Sequence, residues 1–296
     1  MTDTPPAEVP STAPVQRHGR AGRNLPVAIA VGVGLGAYVV LTLLFFNWGF
    51  VALVALALCL GSVELYQALQ RQGMKAAIVP ILIGTIAIVI GSYFAGQQEP
   101  VVFATNSILL ASLALTVLAC LLWRMPQGAQ GFVKDAAASL MIIGYVPLLG
   151  SFSALLLAGE NGTVRVVTFL LVVVMGDTGG YVLGVLFGKH PMAPRISPKK
   201  SWEGLAGSFL FGVVAGVLMA IYGLHVPFWV GLILGVSLVA VGTCGDLVES
   251  MIKRDMGIKD MSSFIPGHGG VMDRLDSLLI AAPVAWLIMY VLVPGG

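Results

Sequence analysis

Long apolar segments separated by shorter polar ones make up the chain from residue 25 onward. Each segment is close to the roughly 20 apolar residues that an α-helix needs to cross a bilayer. The pattern predicts about nine such helices, at residues 25–47, 50–70, 76–96, 101–123, 137–158, 164–187, 204–224, 227–252 and 278–294. The expected fold class is therefore all-α, a polytopic integral membrane helical bundle with about nine transmembrane helices.

Composition agrees with lipid as the main solvent. Hydrophobic residues make up 57% of the chain and charged residues only 10%, and the mean hydropathy is +0.94. A soluble domain needs more charge on its surface. The formal net charge of +2 is too small to suggest a nucleic-acid partner. Cys59, Cys120 and Cys244 lie in apolar segments without a pairing pattern, which argues against a disulfide framework.

The chain divides into three regions. Residues 1–24 are rich in proline and end with Arg17, Arg20 and Arg23, so we expect a disordered basic tail on the cytoplasmic side. Residues 25–160 are expected to form the N-terminal transmembrane helices. Residues 161–296 form a C-terminal transmembrane region with two long polar loops, 188–203 and 253–277. Irregular polar backbone at a membrane face needs water or a ligand, so the chemistry should lie in this C-terminal region.

The basic residues predict the orientation. With nine spans and the N-terminus inside, all but one of the 16 Lys and Arg residues fall on the inner side, and only Arg165 falls outside. Such a bias is the usual mark of cytoplasmic loops. We therefore expect a multi-pass protein of the cell (inner) membrane with a cytoplasmic N-terminus, cytoplasmic polar loops and an outside C-terminus.

Four acidic residues interrupt the apolar segments: Glu64, Asp177, Asp246 and Glu249. A charge at the centre of a spanning helix costs about 2.5–3.5 kcal/mol, so these side chains should face a cavity or a partner. Asp246, Glu249, Ser250 and Lys253 are spaced for one helical face, which indicates a hydrated cavity; the alternative is a structural network between helices. For Glu64, packing and catalysis remain equally open.

The first polar loop carries the run Ser197-Pro198-Lys199-Lys200-Ser201 just before a predicted helix. Lysines and helix N-termini both bind phosphate oxygens, so this run suits a polyphosphate. The glycine spacing of a Walker A loop is absent. The alternative is that Lys199 and Lys200 are only inside-facing charges.

The second polar loop is dense in residues that bind ligands. It contains Lys253, Arg254, Lys259, His268, Gly269, Gly270, Asp273, Arg274 and Asp276. The paired glycines allow close backbone approach, and Asp273 and Asp276 would present two carboxylates together if a helix begins there. Hard oxygen ligands favour Mg²⁺, whereas a single histidine without cysteine argues against zinc.

These motifs resemble a known family. The pattern Ser250-x-x-Lys253-Arg254-x4-Lys259-Asp260, continuing to His268-Gly269-Gly270-x-x-Asp273-Arg274-x-Asp276, is similar to the signature of the phosphatidate cytidylyltransferases. The stretches 177–181 and 193–204 resemble the same family. The resemblance covers roughly the C-terminal 40% of the chain, while the first 160 residues match only as generic spans.

The resemblance implies an enzyme that joins CTP to phosphatidate, giving CDP-diacylglycerol and pyrophosphate. It further implies a bilayer location, a homodimer and Mg²⁺, with Mn²⁺ as a substitute and a second cation left open. Asp246 and Asp273 match the family's metal-binding carboxylates. The expected catalytic residues are Asp177, Asp246, Asp273, Lys253 and Arg254. The expected substrate-binding residues are Ser197, Pro198, Lys199, Lys200, Ser201, Glu249, Lys259, His268, Gly269, Gly270, Arg274 and Asp276.

Two other functions fit part of the pattern. A cytidylyltransferase or CTP-dependent kinase that acts on another membrane lipid would share much of the chemistry. A cation-coupled transporter could use Asp177 and Asp246 as its ion site. The absence of an evident inverted repeat, and the phosphate-friendly loop beside these acids, argue against the transporter.

Overall fold

A computed structural model describes residues 25–97, 107–194, 196–262 and 269–294. The predicted tail (1–24) and His268 lie outside the described residues. The helices are α1 (Leu25–Phe45), α2 (Asn47–Arg71), α3 (Ile78–Gln97), α4 (Ser107–Arg124), α5 (Phe132–Ile143), α6 (Leu149–Ala158), α7 (Gly162–Phe187), α8 (Trp202–Leu218), α9 (Phe228–Asp255) and α10 (Met272–Leu292). Two short strands, β1 (Pro191–Ala193) and β2 (Ser197–Ser201), lie between α7 and α8.

The helical membrane bundle predicted from the apolar segments is confirmed. Over the described residues, eight helical segments are long and apolar enough to cross a membrane, and α1 contributes a shorter apolar stretch, Gly32–Phe45. A π-helical turn, Gly144–Leu148, joins α5 to α6, so that the predicted fifth span is one rod. Pro147 lies in this turn, where the wider helical turn accommodates a residue without a backbone N–H.

Two helix boundaries differ from the predictions in a way that matters for the site. Helix α10 begins at Met272 rather than near residue 278, and α9 continues to Asp255. Asp273, Arg274 and Asp276 therefore lie on the first turns of α10, and Lys253 lies on the last turns of α9. Hydropathy missed these turns because their side chains are polar, although the backbone is helical.

Helices α7 and α8 pack at very short range because glycines face each other. A Cβ added to Gly179 would lie 2.5 Å from the carbonyl oxygen of Gly207, and one added to Gly207 would lie equally close to that of Gly179. The repeated glycines of residues 176–188 are therefore part of a helix–helix contact, as small residues often are in membranes. This contact places Asp177 of α7 beside the start of α8.

The first polar loop forms a small hairpin, which the all-α expectation did not include. Strands β1 and β2 are antiparallel, with Pro191 opposite Ser201 and Ala193 opposite Ser197. The hydroxyl of Ser201 then caps α8 by accepting a hydrogen bond from Gly204 N at 3.1 Å. The hairpin gives the lysine run a defined backbone at the end of the bundle.

Hydrogen bonds between distant parts of the chain lie at both ends of the bundle. Arg165, the one predicted outside, donates hydrogen bonds to the carbonyl oxygens of Met289 (3.1 Å) and Pro294 (3.0 Å), at the C-terminal end of α10. At the opposite end, Gln72 after α2 donates to Met256 O after α9 at 3.1 Å. Which of these ends is cytoplasmic stays a prediction.

Cysteine labelling tests the sidedness. In a background with Cys244 replaced by serine, Asp260→Cys should react with a membrane-impermeant maleimide only after the inner face is opened, because residue 260 lies in the second polar loop. Glu160→Cys, at the start of α7, should react in intact cells. Both positions are exposed, so labelling depends only on whether the maleimide reaches that side of the membrane. The reverse pattern would contradict the predicted orientation, and the background without an added cysteine is the control.

Candidate active site

A polar cavity of about 410 Å³ opens between α7, α8, α9, α10 and the hairpin. Most of the predicted chemistry-bearing residues meet here although they come from four separate parts of the sequence. The predicted residues in its wall are Asp177, Ser197, Lys199, Lys200, Ser201, Asp246, Asp273, Arg274 and Asp276. The structure therefore gathers residues of both polar loops, with the intramembrane acids Asp177 and Asp246, at one mouth of the bundle.

Three carboxylates form the acidic side of the cavity. Asp177 of α7 and Asp276 of α10 both lie close enough to Asp246 of α9 for their negative charges to repel one another. The ammonium of Lys200 lies 2.5 Å from Asp246 Oδ2 and partly offsets this repulsion. Carboxylates crowded together favour the binding of a cation, since an opposite charge stabilises their ionised form.

Asp273 belongs to a separate network that joins α9 to α10. Its Oδ1 accepts a hydrogen bond from Lys253 Nζ at 2.9 Å, and its Oδ2 accepts hydrogen bonds from the backbone N–H groups of Gly270 (2.9 Å) and Met261 (3.2 Å). Lys253 Nζ also donates to Glu249 Oε2 at 2.6 Å. Lys253 thus holds the predicted metal ligand Asp273 in place.

The polar face predicted on α9 therefore divides into two parts. Asp246 lines the cavity, whereas Glu249 is fully buried and bonded to Lys253. The network between helices, which was the alternative for this face, describes Glu249 and Lys253 better than a hydrated wall does. Glu249 Oε1 is buried without a hydrogen-bond partner among the described residues.

Glu64 of α2 holds the N-terminus of α10. Its carboxylate accepts hydrogen bonds from Val271 N (2.9 Å), Met272 N (2.8 Å) and the hydroxyl of Ser262 (2.5 Å), and the residue is only 5% exposed. The first N–H groups of a helix have no partner within it, and a negative charge there also interacts favourably with the helix dipole. Of the two interpretations left open for Glu64, the structure supports the packing one.

The turn before α10 has room for glycine only. Gly269 has a positive φ of 85°, a conformation that other residues adopt at a cost. A Cβ on Gly270 would lie 2.7 Å from Glu64 Oε2 and 2.9 Å from Asp273 Oδ2. The two glycines therefore let both carboxylates reach the backbone of the turn.

Two predicted residues, Arg254 and Lys259, do not line the cavity. Arg254 is exposed and donates from Nε to Ile196 O at 3.4 Å, which ties α9 to the hairpin. Lys259 is exposed on the second polar loop. Pro198 lies on β2, within the lysine run. A catalytic part for Arg254, and a part in substrate binding for Lys259, Pro198 and Glu249, stay predictions.

Sequence reasoning missed three hydroxyl residues in the cavity wall: Ser208, Thr243 and Ser277. Thr243 lies three residues before Asp246, and Ser277 lies four residues after Asp273. Both spacings place a side chain on the same helical face as its acidic neighbour. Thr243 and Ser277 could have been predicted by including the residues one helical turn away from each aspartate. Nothing in the sequence marks Ser208.

The donor set of the cavity fits a hard divalent cation. Asp246 and Asp273 both line it and offer carboxylate oxygens, the ligands that Mg²⁺ prefers. Within the described ranges, no three His, Cys, Asp or Glu side chains meet closely enough to hold an ion by themselves. Mg²⁺ is commonly held by one or two carboxylates together with water and substrate phosphates, so Asp246 and Asp273 are the residues that would hold it.

Comparison with known proteins gives consistent matches. Residues 26–292 match the cytidylyltransferase family. The chain is 42% identical over 289 residues to the phosphatidate cytidylyltransferase of Mycobacterium leprae (strain TN), covering 92% of this chain and 90% of that protein. It is 39% identical over 304 residues to that of Mycobacterium tuberculosis (strain H37Rv), covering 97% and 90%. The Staphylococcus saprophyticus protein of the same name is 32% identical over 249 residues, covering 81% and 91%.

Removal of the Glu64 carboxylate should loosen the start of α10. In Glu64→Ala the N–H groups of Val271 and Met272 lose their acceptor, and each buried unsatisfied group costs about 1–3 kcal/mol. We expect a lower melting temperature in detergent and faster hydrogen–deuterium exchange confined to the first turn of α10. The exposed acid Glu160, replaced by alanine, is the matched control. Unchanged exchange at residues 271–275 in Glu64→Ala would contradict this account.

Proposed function

The chain belongs to the cytidylyltransferase family, and on that basis we propose that it transfers CMP from CTP to phosphatidate, giving CDP-diacylglycerol and pyrophosphate. Relatives named for this activity match over nearly the whole chain. The observation that carries the proposal is the cavity, in which the lysine run of the hairpin faces the acids of α7, α9 and α10 at one end of a membrane bundle. A lipid phosphate and a soluble nucleotide can meet there.

The reaction needs no activated serine or cysteine. An oxygen of the phosphatidate phosphate attacks the α-phosphorus of CTP, a new P–O–P bond forms, and the bond to the β-phosphate breaks to release pyrophosphate. The obstacle is that two polyanions must approach each other. Lys199, Lys200 and Arg274 line the cavity, where their charges reduce this repulsion and stabilise the charge that develops in the transition state.

The aspartates of the cavity are the proposed binding site for a divalent cation. Asp246 and Asp273 would hold Mg²⁺, or Mn²⁺ in its place, and Asp177 and Asp276 would add to the negative field beside it. The bound ion would withdraw charge from the phosphate oxygens of the substrates. Lys253 keeps Asp273 oriented through its 2.9 Å contact. The ammonium of Lys200 can leave Asp246 for a phosphate oxygen when nucleotide enters, since both partners line the same cavity.

Location follows from the substrates. Phosphatidate stays in the bilayer and CTP is cytoplasmic, so we place the cavity at the cytoplasmic face of the cell membrane. A homodimer belongs to the proposal through the family resemblance alone, and a second cation stays open.

Label position separates this reaction from the alternatives. With phosphatidate, Mg²⁺ and CTP labelled at the α-phosphate, purified protein should transfer label into the lipid phase, whereas label at the γ-phosphate should leave as pyrophosphate. A CTP-dependent kinase would give the opposite pattern, and a transporter would label no lipid. Diacylglycerol and other lipid phosphates serve as competing acceptors. Lipid labelling from the γ-position alone would refute the proposal.

Replacement of either metal-binding aspartate by asparagine should remove most turnover. Asparagine keeps the shape and one acceptor oxygen but lacks the charge that a hard cation needs. We expect Asp246→Asn and Asp273→Asn each to lower kcat at least about 100-fold, and the double variant to be little worse, because residues that serve one ion act as a unit. Activity of the unmodified enzyme should require added Mg²⁺.

The matched control is Asp255→Asn, an exposed acid at the end of α9 outside the cavity. It should keep near-normal kinetics. Near-normal CDP-diacylglycerol synthesis by a folded Asp246→Asn or Asp273→Asn variant in saturating Mg²⁺ would refute the metal assignment.

A further inference from the structure

A second cavity, of about 230 Å³, lies against the opposite side of α10 from the polar one. We call it the apolar chamber. Helices α1, α2, α6, α7 and α10 enclose it, and its wall is almost entirely hydrocarbon, including Val39, Phe50, Leu53, Phe169 and Leu278. It is open on part of its surface. The mechanism above makes no use of this space.

Helix α10 is the wall between the two cavities. Asp273, Asp276 and Ser277 point to the polar cavity, and Leu275, Leu278, Leu279 and Ala282 point to the apolar chamber. At 3.6 residues per turn these two sets lie on opposite faces of the helix. Arg274 falls between the faces and, within the described part of the chain, is the residue common to both cavity walls.

We propose that the apolar chamber binds the glycerol-proximal part of one acyl chain of phosphatidate, so that the phosphate lies at Arg274 and faces the polar cavity. The inference rests on the proposed phosphatidate activity and adds to it the site of the lipid tail. A ligand for this space must be hydrocarbon along most of its length and anionic at one end. A phosphate on a fatty-acyl glycerol meets both conditions, and a guanidinium is well suited to a phosphate.

The volume limits how much of the lipid is bound. Pockets that enclose a drug-sized molecule measure about 300–1,000 Å³, so the apolar chamber takes part of one chain rather than two whole chains. The remaining tail and the second chain stay in the bilayer. The proposed function leaves phosphatidate in the bilayer, and the apolar chamber takes part of one of its acyl chains into the protein.

Helix α1 provides the route from the bilayer. Leu35 and Val39 of α1 form the outer wall, and Leu35 is 52% exposed. The positions of Gly32, Gly34 and Gly36 have no atom within 4 Å of an added Cβ, so this part of α1 packs lightly on its neighbours. A chain can therefore enter beside α1 without crossing the polar cavity.

Filling the apolar chamber tests the proposal. Ala57 of α2 lines it, whereas Ala52 of the same helix is exposed and lies outside it. We compare kcat/KM for dioleoyl and diacetyl phosphatidate in micelles of fixed composition, because an acetyl group is too short to fill the chamber. One buried methylene is worth about four-fold in affinity, so Ala57→Phe, which displaces several, should lower the long-to-short ratio at least about ten-fold. Ala52→Phe should leave that ratio within two-fold of the unmodified enzyme.

Enlarging the apolar chamber gives an independent test if Ala57→Phe does not fold. Leu53 lines it, and Leu56, which is 57% exposed, is the matched control on the same helix. Leu53→Ala should raise the preference for methyl-branched over linear acyl chains about four-fold or more, because the removed side chain leaves room for the branches. Leu56→Ala should not change this preference.

The outcomes separate the two levels of the argument. Long-to-short and branched-to-linear ratios that match the controls in both chamber variants, with phosphatidate still converted, would overturn the acyl-chain site and leave the proposed function intact. Failure of the unmodified protein to convert either phosphatidate would overturn the proposed function and this inference with it.

Discussion

The geometry of the site depends on one buried carboxylate. Glu64 of α2 accepts the first N–H groups of α10 at 2.8–2.9 Å, and without that acceptor they would be left unpaired beside a membrane, where such groups are costly. Because Asp273, Arg274 and Asp276 follow within the next two turns, fixing the start of α10 fixes all three. The N-terminal helices, which contribute little to the polar cavity itself, therefore position its chemistry through this contact.

Charged side chains at the polar cavity form ion pairs with one another. Lys200 lies against Asp246 and Lys253 against Asp273, and each pair offsets the desolvation of both partners. In the proposed reaction, a nucleotide that arrives with a cation would exchange these partners: its phosphates would take the lysine, and the cation would take the carboxylate. The resting ion pairs would thus keep the cavity intact before the substrates bind.

Sequence reasoning was strongest where one physical signal acts over a long stretch. Apolar length predicted the helices, and the fixed spacing of the signature identified the acids and lysines that gather in the polar cavity. Sequence reasoning failed where a local structure depends on a residue that is distant in the chain. The start of α10 depends on Glu64, some 200 residues earlier in the chain, and the division of α9 depends on Lys253 reaching Asp273. The hairpin was not predicted because its two strands are short and their alternation of polar and apolar residues is weak.

Because α10 has a polar face and an apolar face, its register determines which side chains reach each cavity. A slip by one residue would turn every side chain by about 100°, moving Arg274 away from the border of the two cavities and an acid toward the apolar chamber. The hydrogen bonds of Glu64 and Asp273 to this turn favour one register. Gly270 permits them, because a Cβ there would lie 2.7 Å from Glu64 Oε2 and 2.9 Å from Asp273 Oδ2. Gly269 and Gly270 thus let the carboxylates of Glu64 and Asp273 both bind the turn before α10. With that turn held, one face of α10 stays toward the apolar chamber and the other toward the polar cavity.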